Sequence, residues 1–485
     1  MPEPGTGQAP APEPVPTVRR VVSLGVKEVI ALAIKQNLDL QAERLTPSIR
    51  SEDVVKARAA FDPTAFAEAK HGRSFLRSAT QAAGTDNKTI DVNLGVRQKV
   101  VTGGNYTLRM LNERLNTNNR FAQINPSFST QFLLEFTQPF LDGFGIEVNT
   151  ANIRIALTNR DISGHSLRDR ALQIISQAQN AYWDLVLARK TLTVRQQSLD
   201  LAQELLRITR ARVEAGVLAR IETVQAESEV ASRREAVIVA QNAVGNAEDN
   251  LRAILSLDTD TRWADLVINP TDEPQLDRRE VRVDESLRAA LTSRPDLAGA
   301  KLDLQNRGIS VRVAQNSLLP SLNFSGTVGL QGLDQTFRSD FETLGERKFW
   351  QWNAGMLLEQ PLGNRAAKAD LSQRRLEQDR AVIQLRNLEQ RIATDVRQAV
   401  RTLTSNLERI EATRAARTLA EQKVRAEEEK LRVGLSTTFN VQQFQRDLTD
   451  AQVSEIQAQT DYQRSLINLE RVKGTALETY KVELL

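Results

Sequence analysis

Two stretches of this chain carry almost nothing that would end a helix. Arg365 to Val433 contains neither glycine nor proline, and Thr150 to Ala215 contains only Gly164. At about 1.5 Å rise per residue each predicts a helix of roughly 100 Å, far longer than an ordinary domain is wide. Each run ends at a glycine, Gly216 or Gly434, and a second helical pattern begins at once. The chain is therefore expected to run out, turn at a tip and come back, and to do so twice. That predicts a helical conduit or strut rather than a globular enzyme.

Composition agrees. Charged residues make up 26% and aromatics only 5% of the 485 residues, with mean hydropathy −0.38, which suits solvated helices better than a thick aromatic core. Basic and acidic residues number 64 and 61 and are interspersed, so the net charge of +3 makes no case for nucleic acid as a partner. There is no cysteine, hence no disulfide, thiolate metal site or cysteine nucleophile. His71 and His165 are isolated, Gly103-Gly104 reads as a turn, and no phosphate-binding loop pattern occurs, so no metal or cofactor is expected. With no nucleophile–base pair in view, neither is enzymatic activity. No run of about 18 apolar residues predicts a membrane-spanning helix. The opening MPEPGTGQAPAPEPVP has no apolar core of a secretory signal, so an exported chain would be a mature or trimmed form.

The halves follow one plan. SLGVKEVIALAIKQNLDLQAERL from Ser23 and VDESLRAALTSRPDLAGAKLDLQ from Val283 align through Ala31-Leu32 and Ala290-Leu291. Each continues to a proline, Pro63 or Pro320, then to a strand-like region closing on FTQPFLDGFG (Phe136 to Gly145) or LEQPLGN (Leu358 to Asn364), then to the long helix, tip and returning helix. A period of this size is duplication of a domain plan, not a solenoid. The landmarks divide the chain into a Pro-rich start (1–20), first helices (21–62), strands (63–145) and a long hairpin (146–256) of repeat 1, and a connector (257–281). Repeat 2 then has first helices (282–319), strands (320–363) and a long hairpin (364–473), followed by a tail (474–485).

Alternation supports the strands. Ile90, Val92, Leu94 and Val96 face away from Asp91, Asn93 and Arg97; Trp350, Trp352, Ala354, Met356 and Leu358 alternate with Gln351, Asn353, Gly355, Leu357 and Glu359. The first half has four such segments, at about 64–76, 88–101, 104–115 and 128–140, and the second has two, split by a polar loop at Asp334 to Lys348. Thr102-Gly103-Gly104-Asn105 is a tight turn, whereas Ser78 to Asn87 and Asn116 to Ser127 are long and polar. Such strands cover a soluble core or form a barrel with lipid outside and water within; short turns on one side and long loops on the other favour the barrel. Phe132, Phe136, Trp350 and Trp352 are then candidate membrane-interface aromatics, with outer-membrane lipid as their partner. Six strands cannot close alone, so their edges must pair with other subunits.

Together these features resemble the TolC-type outer-membrane efflux proteins from about residue 21 to 473. The residues that carry the likeness are the duplicated order of elements, QPFLDGFG echoed as QPLGN, AYWDLVLARKTL (Ala181 to Leu192), and the tips ARVEAGVLARIETVQAESE and LRVGLSTTFNVQQFQRDL. The resemblance implies an α+β fold of mainly long α-helices with internal duplication: a homotrimer whose α-helical barrel crosses the periplasm and joins a shared transmembrane antiparallel β-barrel in the bacterial outer membrane. Segments near 257–281 and the C-terminus would form a mixed equatorial belt. The function implied is the passive exit duct of a tripartite efflux or type I secretion system, fed by an inner-membrane pump through a periplasmic adaptor (membrane fusion) protein. The adaptor would dock at Val213, Gly216 and Val217 on one tip and Val433, Gly434 and Leu435 on the other. Positions six past each glycine, Glu222 and Asn440, with Gln443 beyond, would line the periplasmic entrance. Two of these three are neutral, and the family's tyrosine and arginine latch positions fall on Leu431 and Ser436. Family subunits usually supply two strands per half, so the extra hairpin here either enlarges the barrel from twelve to eighteen strands or lies outside the ladder. The rival reading is a soluble coiled-coil scaffold, which leaves the duplicated strands unexplained.

Overall fold

The structure, a computed structural model, describes residues 20–77, 84–257, 266–274, 278 and 281–480. Most of the Pro-rich start, part of the connector and the end of the tail lie outside the described residues. In chain order the elements are β1 (Arg20–Leu24), α1 (Val26–Gln36), α2 (Leu38–Arg58), β2 (Thr64–Phe75), β3 (Asp86–Lys99), β4 (Asn105–Thr117) and β5 (Ser127–Pro139). Next come α3 (Ile146–Asn149), α4 (Ala151–Glu214), α5 (Arg220–Leu255), β6 (Leu266–Pro270), α6 (Val283–Ser293), α7 (Pro295–Asn316) and β7 (Ser321–Asp334). The chain closes with α8 (Phe337–Gly345), β8 (Trp350–Glu359), α9 (Arg365–Arg432), α10 (Thr438–Lys473) and α11 (Ala476–Thr479). Contacts divide it into two units.

The first unit comprises Met1–Leu45, Ser166–Asp296 and Leu388–Leu485. Its core is built on α4, where Leu167, Ala171, Ile174, Ala178, Ala181, Tyr182 and Leu185 recur at helical spacing and meet Leu251 and Leu255 of α5 and Val29 and Ala33 of α1. Burying each large aliphatic of this set contributes about 1.5–3 kcal/mol. Alanine at alternate positions lets helices approach closely. β1 and β6 pair in parallel from Arg20 with Leu266 to Leu24 with Pro270, a small sheet that the sequence did not announce. Tyr182 ties this corner together. Its hydroxyl lies 3.2 Å from the Leu24 carbonyl and 3.0 Å from the Asp272 carboxylate, and Asp272 in turn accepts the Val26 amide at 2.6 Å. Burial pushes the phenol up to about 12, so it stays a neutral donor.

The second unit comprises Thr46–His165 and Leu297–Asn387. Its six-stranded antiparallel sheet has the order β2-β3-β4-β5-β7-β8. The β3–β4 turn needs glycine: Gly103 has φ +102°, and a Cβ there would meet the Gly143 carbonyl oxygen at 2.2 Å. The matched phrases that end the strands are corners. Asn149 donates to the Gly143 and Gly145 carbonyls at 2.7 and 3.0 Å, and Asn316 of α7 bonds Gly143 N and Leu141 O at 2.7 and 3.1 Å. In the second repeat Asn364 donates to Leu318 O at 3.1 Å. Within Asp334 to Lys348, read from sequence as a polar loop, the chain forms α8. Thr336 caps it, its hydroxyl accepting the Ser339 amide at 3.3 Å.

Candidate functional site

Two surfaces carry the predicted residues, one in each unit. The tips belong to the helical unit. At the end of α4, Gly216 has φ +76°, its amide donates to Val213 O at 3.0 Å, and Val217 N reaches Arg212 O at 2.9 Å. At the end of α9, Gly434 has φ +79°, with Gly434 N on Leu431 O at 3.3 Å and Leu435 N on Lys430 O at 2.8 Å. Both are the complete paired-bond glycine cap, which satisfies the last carbonyls while the chain reverses. Around them apolar side chains stand in solvent: Val217, Ile221 and Val224 on one tip, Val433, Leu435 and Phe439 on the other, with Leu435 79% exposed. Val213 is only half-exposed.

The three entrance candidates differ. Glu222 sits in the first turn of α5, where the helix dipole favours a carboxylate, and its Oε2 is covered yet has no hydrogen-bond partner among the described residues. Asn440 is exposed one turn into α10, its amide nitrogen 3.4 Å from Ser436 Oγ. Gln443, also exposed, spans Asp447 and Arg446 at 3.1 Å each along its own helix.

Two further groups were missed in the sequence. Glu427, which reads there as one of three solvated glutamates, is only 7% exposed. It accepts from Ser436 Oγ across the turn and pairs with Lys430 at 3.1 Å. The Ser436 hydrogen bond first, and the Lys430 bond after it, hold its carboxyl below the usual carboxylate range. Arg233 of α5, 6% exposed, meets Glu229 at 2.9 Å, the Ser198 carbonyl and hydroxyl of α4 at 2.8 and 3.0 Å, and the Gln442 carbonyl of α10 at 3.5 Å. Its signal was available: it falls on the buried stripe of Ala226, Val237 and Ala240.

The sheet turns its faces the wrong way for a water-soluble fold. Strand register puts Val92, Leu94 and Val96 on one face with Leu108 and Met110, Phe132, Leu134 and Phe136, Val328 and Leu330, and Trp350, Trp352 and Met356. Along this face Ile90, Val92, Leu94 and Val96 of β3 and Phe132, Leu134 and Phe136 of β5 are exposed, whereas on the other face Asp91, Asn93, Gln131, Leu133 and Glu135 are covered or half-covered. Trp350 and Trp352 are each 66% exposed. All four candidate interface aromatics share this face: Trp350 opens β8 beside the long loop, Phe136 approaches the short-turn end of β5, and Phe132 lies in the middle of that strand. The opposite face carries ion pairs, Lys70 with Glu68 at 2.6 Å and Arg109 with Glu135 at 2.8 Å.

An antiparallel sheet whose apolar face is the exposed one, in a chain with duplicated helical hairpins, defines the class of outer-membrane export channels. The comparisons specify it. The outer membrane efflux protein pattern matches residues 29–256 and 286–475, and the chain belongs to this family. It is 26% identical over 339 residues to the outer membrane efflux protein BepC of Brucella suis biovar 1, covering 68% of each chain. It is 25% identical over 197 residues, 40% of each chain, to the pyoverdine export outer membrane protein OpmQ of Pseudomonas aeruginosa. Its fold is that of the outer membrane protein VceC of Vibrio cholerae, with a TM-score of 0.68 at 17% identity over 93% of this chain and 96% of that one. The protein is thus an outer-membrane efflux channel that extends into the periplasm, and the soluble scaffold reading falls.

Proposed function

We propose that three copies close one shared eighteen-stranded barrel and that the helical tips receive a periplasmic adaptor. Strand direction supports closure. The ladder starts with β2 and ends with β8, which run in opposite directions, so β8 of one copy can pair antiparallel with β2 of the next. All six strands lie in a single ladder, which favours eighteen over twelve. The exposed apolar face is the observation that carries the reading: it needs lipid, and the charged face then lines water. Adaptor docking is supported by the exposed apolar side chains at both tips. Glu222, Asn440 and Gln443 line the entrance in this reading, with a single carboxylate from each chain. Passage is passive: an inner-membrane pump supplies the energy and hands substrate to the duct, and the chain does no chemistry of its own. The test is the detergent-corrected mass, followed by conductance in a planar bilayer. A mass of about 162 kDa, three times 54.1 kDa, with discrete conductance steps is expected. A monomer soluble without detergent overturns the proposal.

A further inference from the structure

Helix α8 is more than a β7–β8 connection requires. It lies against the apolar face of the sheet, at the end of the strands where the long loops are. Asp340 is fully buried there: Oδ1 accepts the Thr130 amide at 3.3 Å and Oδ2 accepts the Thr130 hydroxyl. Gly332, the registered neighbour of Thr130, makes room, because a Cβ on it would lie 2.3 Å from the Asp340 carbonyl oxygen. On the flank of α8 next to Asp340 stand Phe337 and Phe341, both partly exposed and with ring centroids 5.5 Å apart. An apolar stripe on a helix lying flat on a lipid-facing wall is the pattern of an interfacial helix.

Between α8 and the sheet runs a groove of about 390 Å³ walled by Ile90, Val92, Leu94, Met110, Phe128 and Phe337. Its polarity is graded along the strands. Nearest the loops is the row Ile90–Arg114–Phe128, in which the Arg114 guanidinium lies 5.7 Å from the Phe128 ring; Lys88, one same-face position nearer the loops on β3, stands just beyond the groove's walls at that end. Two rows further in is Leu94–Met110–Phe132, about 14 Å away at roughly 3.4 Å per residue. Lys88 and Arg114 form no ion pair among the described residues. Asp86, on the same face, is held by Arg73 through two bonds of 2.8 and 2.7 Å. Glu113 also lines the groove, but strand alternation puts its side chain on the other face. Cations at the loop end and an apolar channel leading toward mid-membrane match a lipid with a phosphorylated head and an acyl chain.

We propose that this groove holds one acyl chain of a phosphorylated outer-leaflet lipid, with the phosphate bound by Lys88 and Arg114; the proposal rests on the lipid-facing reading of this face. The test is native mass spectrometry of the detergent-solubilised full chain, titrated with diphosphoryl lipid A or with zwitterionic phosphatidylethanolamine. Wild type should retain one diphosphoryl lipid A per chain under washing that strips phosphatidylethanolamine. K88Q/R114Q should weaken retention at least tenfold, as should Met110→Trp, which fills the groove while leaving both cations. R338Q, on the exposed part of α8, should match wild type. Equal retention by K88Q/R114Q, equal retention of both lipids, or full retention by Met110→Trp each overturn the site. A chain that stays soluble without detergent fails the barrel reading instead.

Discussion

Arg233 is a full charge held inside the helical unit, and its neighbours decide what that costs. Glu229 and the Ser198 and Gln442 oxygens satisfy its guanidinium, while Arg446 is 3.7 Å from the same Glu229 oxygen. Arg233→Ala would leave the largely buried Glu229 carboxylate with only the longer Arg446 contact, so a loss toward the low end of about 3–5 kcal/mol is expected, read as a lower guanidinium midpoint of the helical signal. The double variant R233M/E229L should recover most of it, since an apolar pair of similar volume removes both charges. An unchanged midpoint in R233A would mean that water reaches the cluster. Glu427 makes a pH prediction. Its folded pKa lies below the ordinary value of 4.5, so its stabilisation is present above 4.5 and is lost as pH falls through the folded value. Amide exchange at 430–440 should therefore accelerate in wild type as the pH falls below 4.5 and through the folded value, beyond the intrinsic rate change, and E427Q should lose that step. Exchange that stays parallel in the two proteins would remove Glu427 from tip stability. Neither residue's environment was legible from charge alone. Glu427, Glu428 and Glu429 are identical letters, and only the turn that brings Ser436 back across α9 singles one out.

Elements were more legible where one residue type has a single structural use. Glycine at the tips is such a case, because positive φ costs a side chain about 1–2 kcal/mol and the bonds of the cap demand it. An added Cβ at Gly216 or Gly434 meets nothing within 4 Å, so the penalty there is conformational only. Gly216→Ala and Gly434→Ala should each fold, lower local tip stability by about 1–2 kcal/mol in amide exchange, and leave the global midpoint unchanged. A global loss would show that the reversal is coupled to the core. Strand alternation was readable because the sheet's two faces meet different media. β1 and β6 were not, since five residues such as Arg20–Leu24 are too short for a period and their pairing spans most of repeat 1. α8 escaped for a different reason: its apolar stripe is two phenylalanines, and its anchor is the buried acid Asp340, which in a sequence looks like solvated loop.

At the scale of the whole molecule, the open edges of the ladder set the assembly. β2 and β8 each have a single paired neighbour among the described strands, so an isolated copy would leave two rows of backbone donors and acceptors unmet in hydrocarbon. In the proposed assembly, head-to-tail pairing of β8 with β2 would satisfy both and repeat until the ring closes; the sheet alone does not fix the number of copies, and three is the number proposed. The sequence contains no cysteine, so an engineered pair reports without background. Ala67 of β2 and Ala354 or Met356 of β8 lie on the same apolar face, and one cysteine in β2 combined with one at either β8 position samples two registers of the seam. A chain carrying both cysteines, oxidised in the membrane, should run under denaturing conditions as a covalent species of about 162 kDa, three times the 54.1 kDa chain, with intermediates of one and two links and nothing larger. A single-cysteine chain should stay monomeric, because each seam joins two different edges. A dimer from a single-cysteine chain would mean that like edges meet, and a continuing ladder beyond three would mean an open or larger ring. Either result would replace the closed trimer with another symmetry.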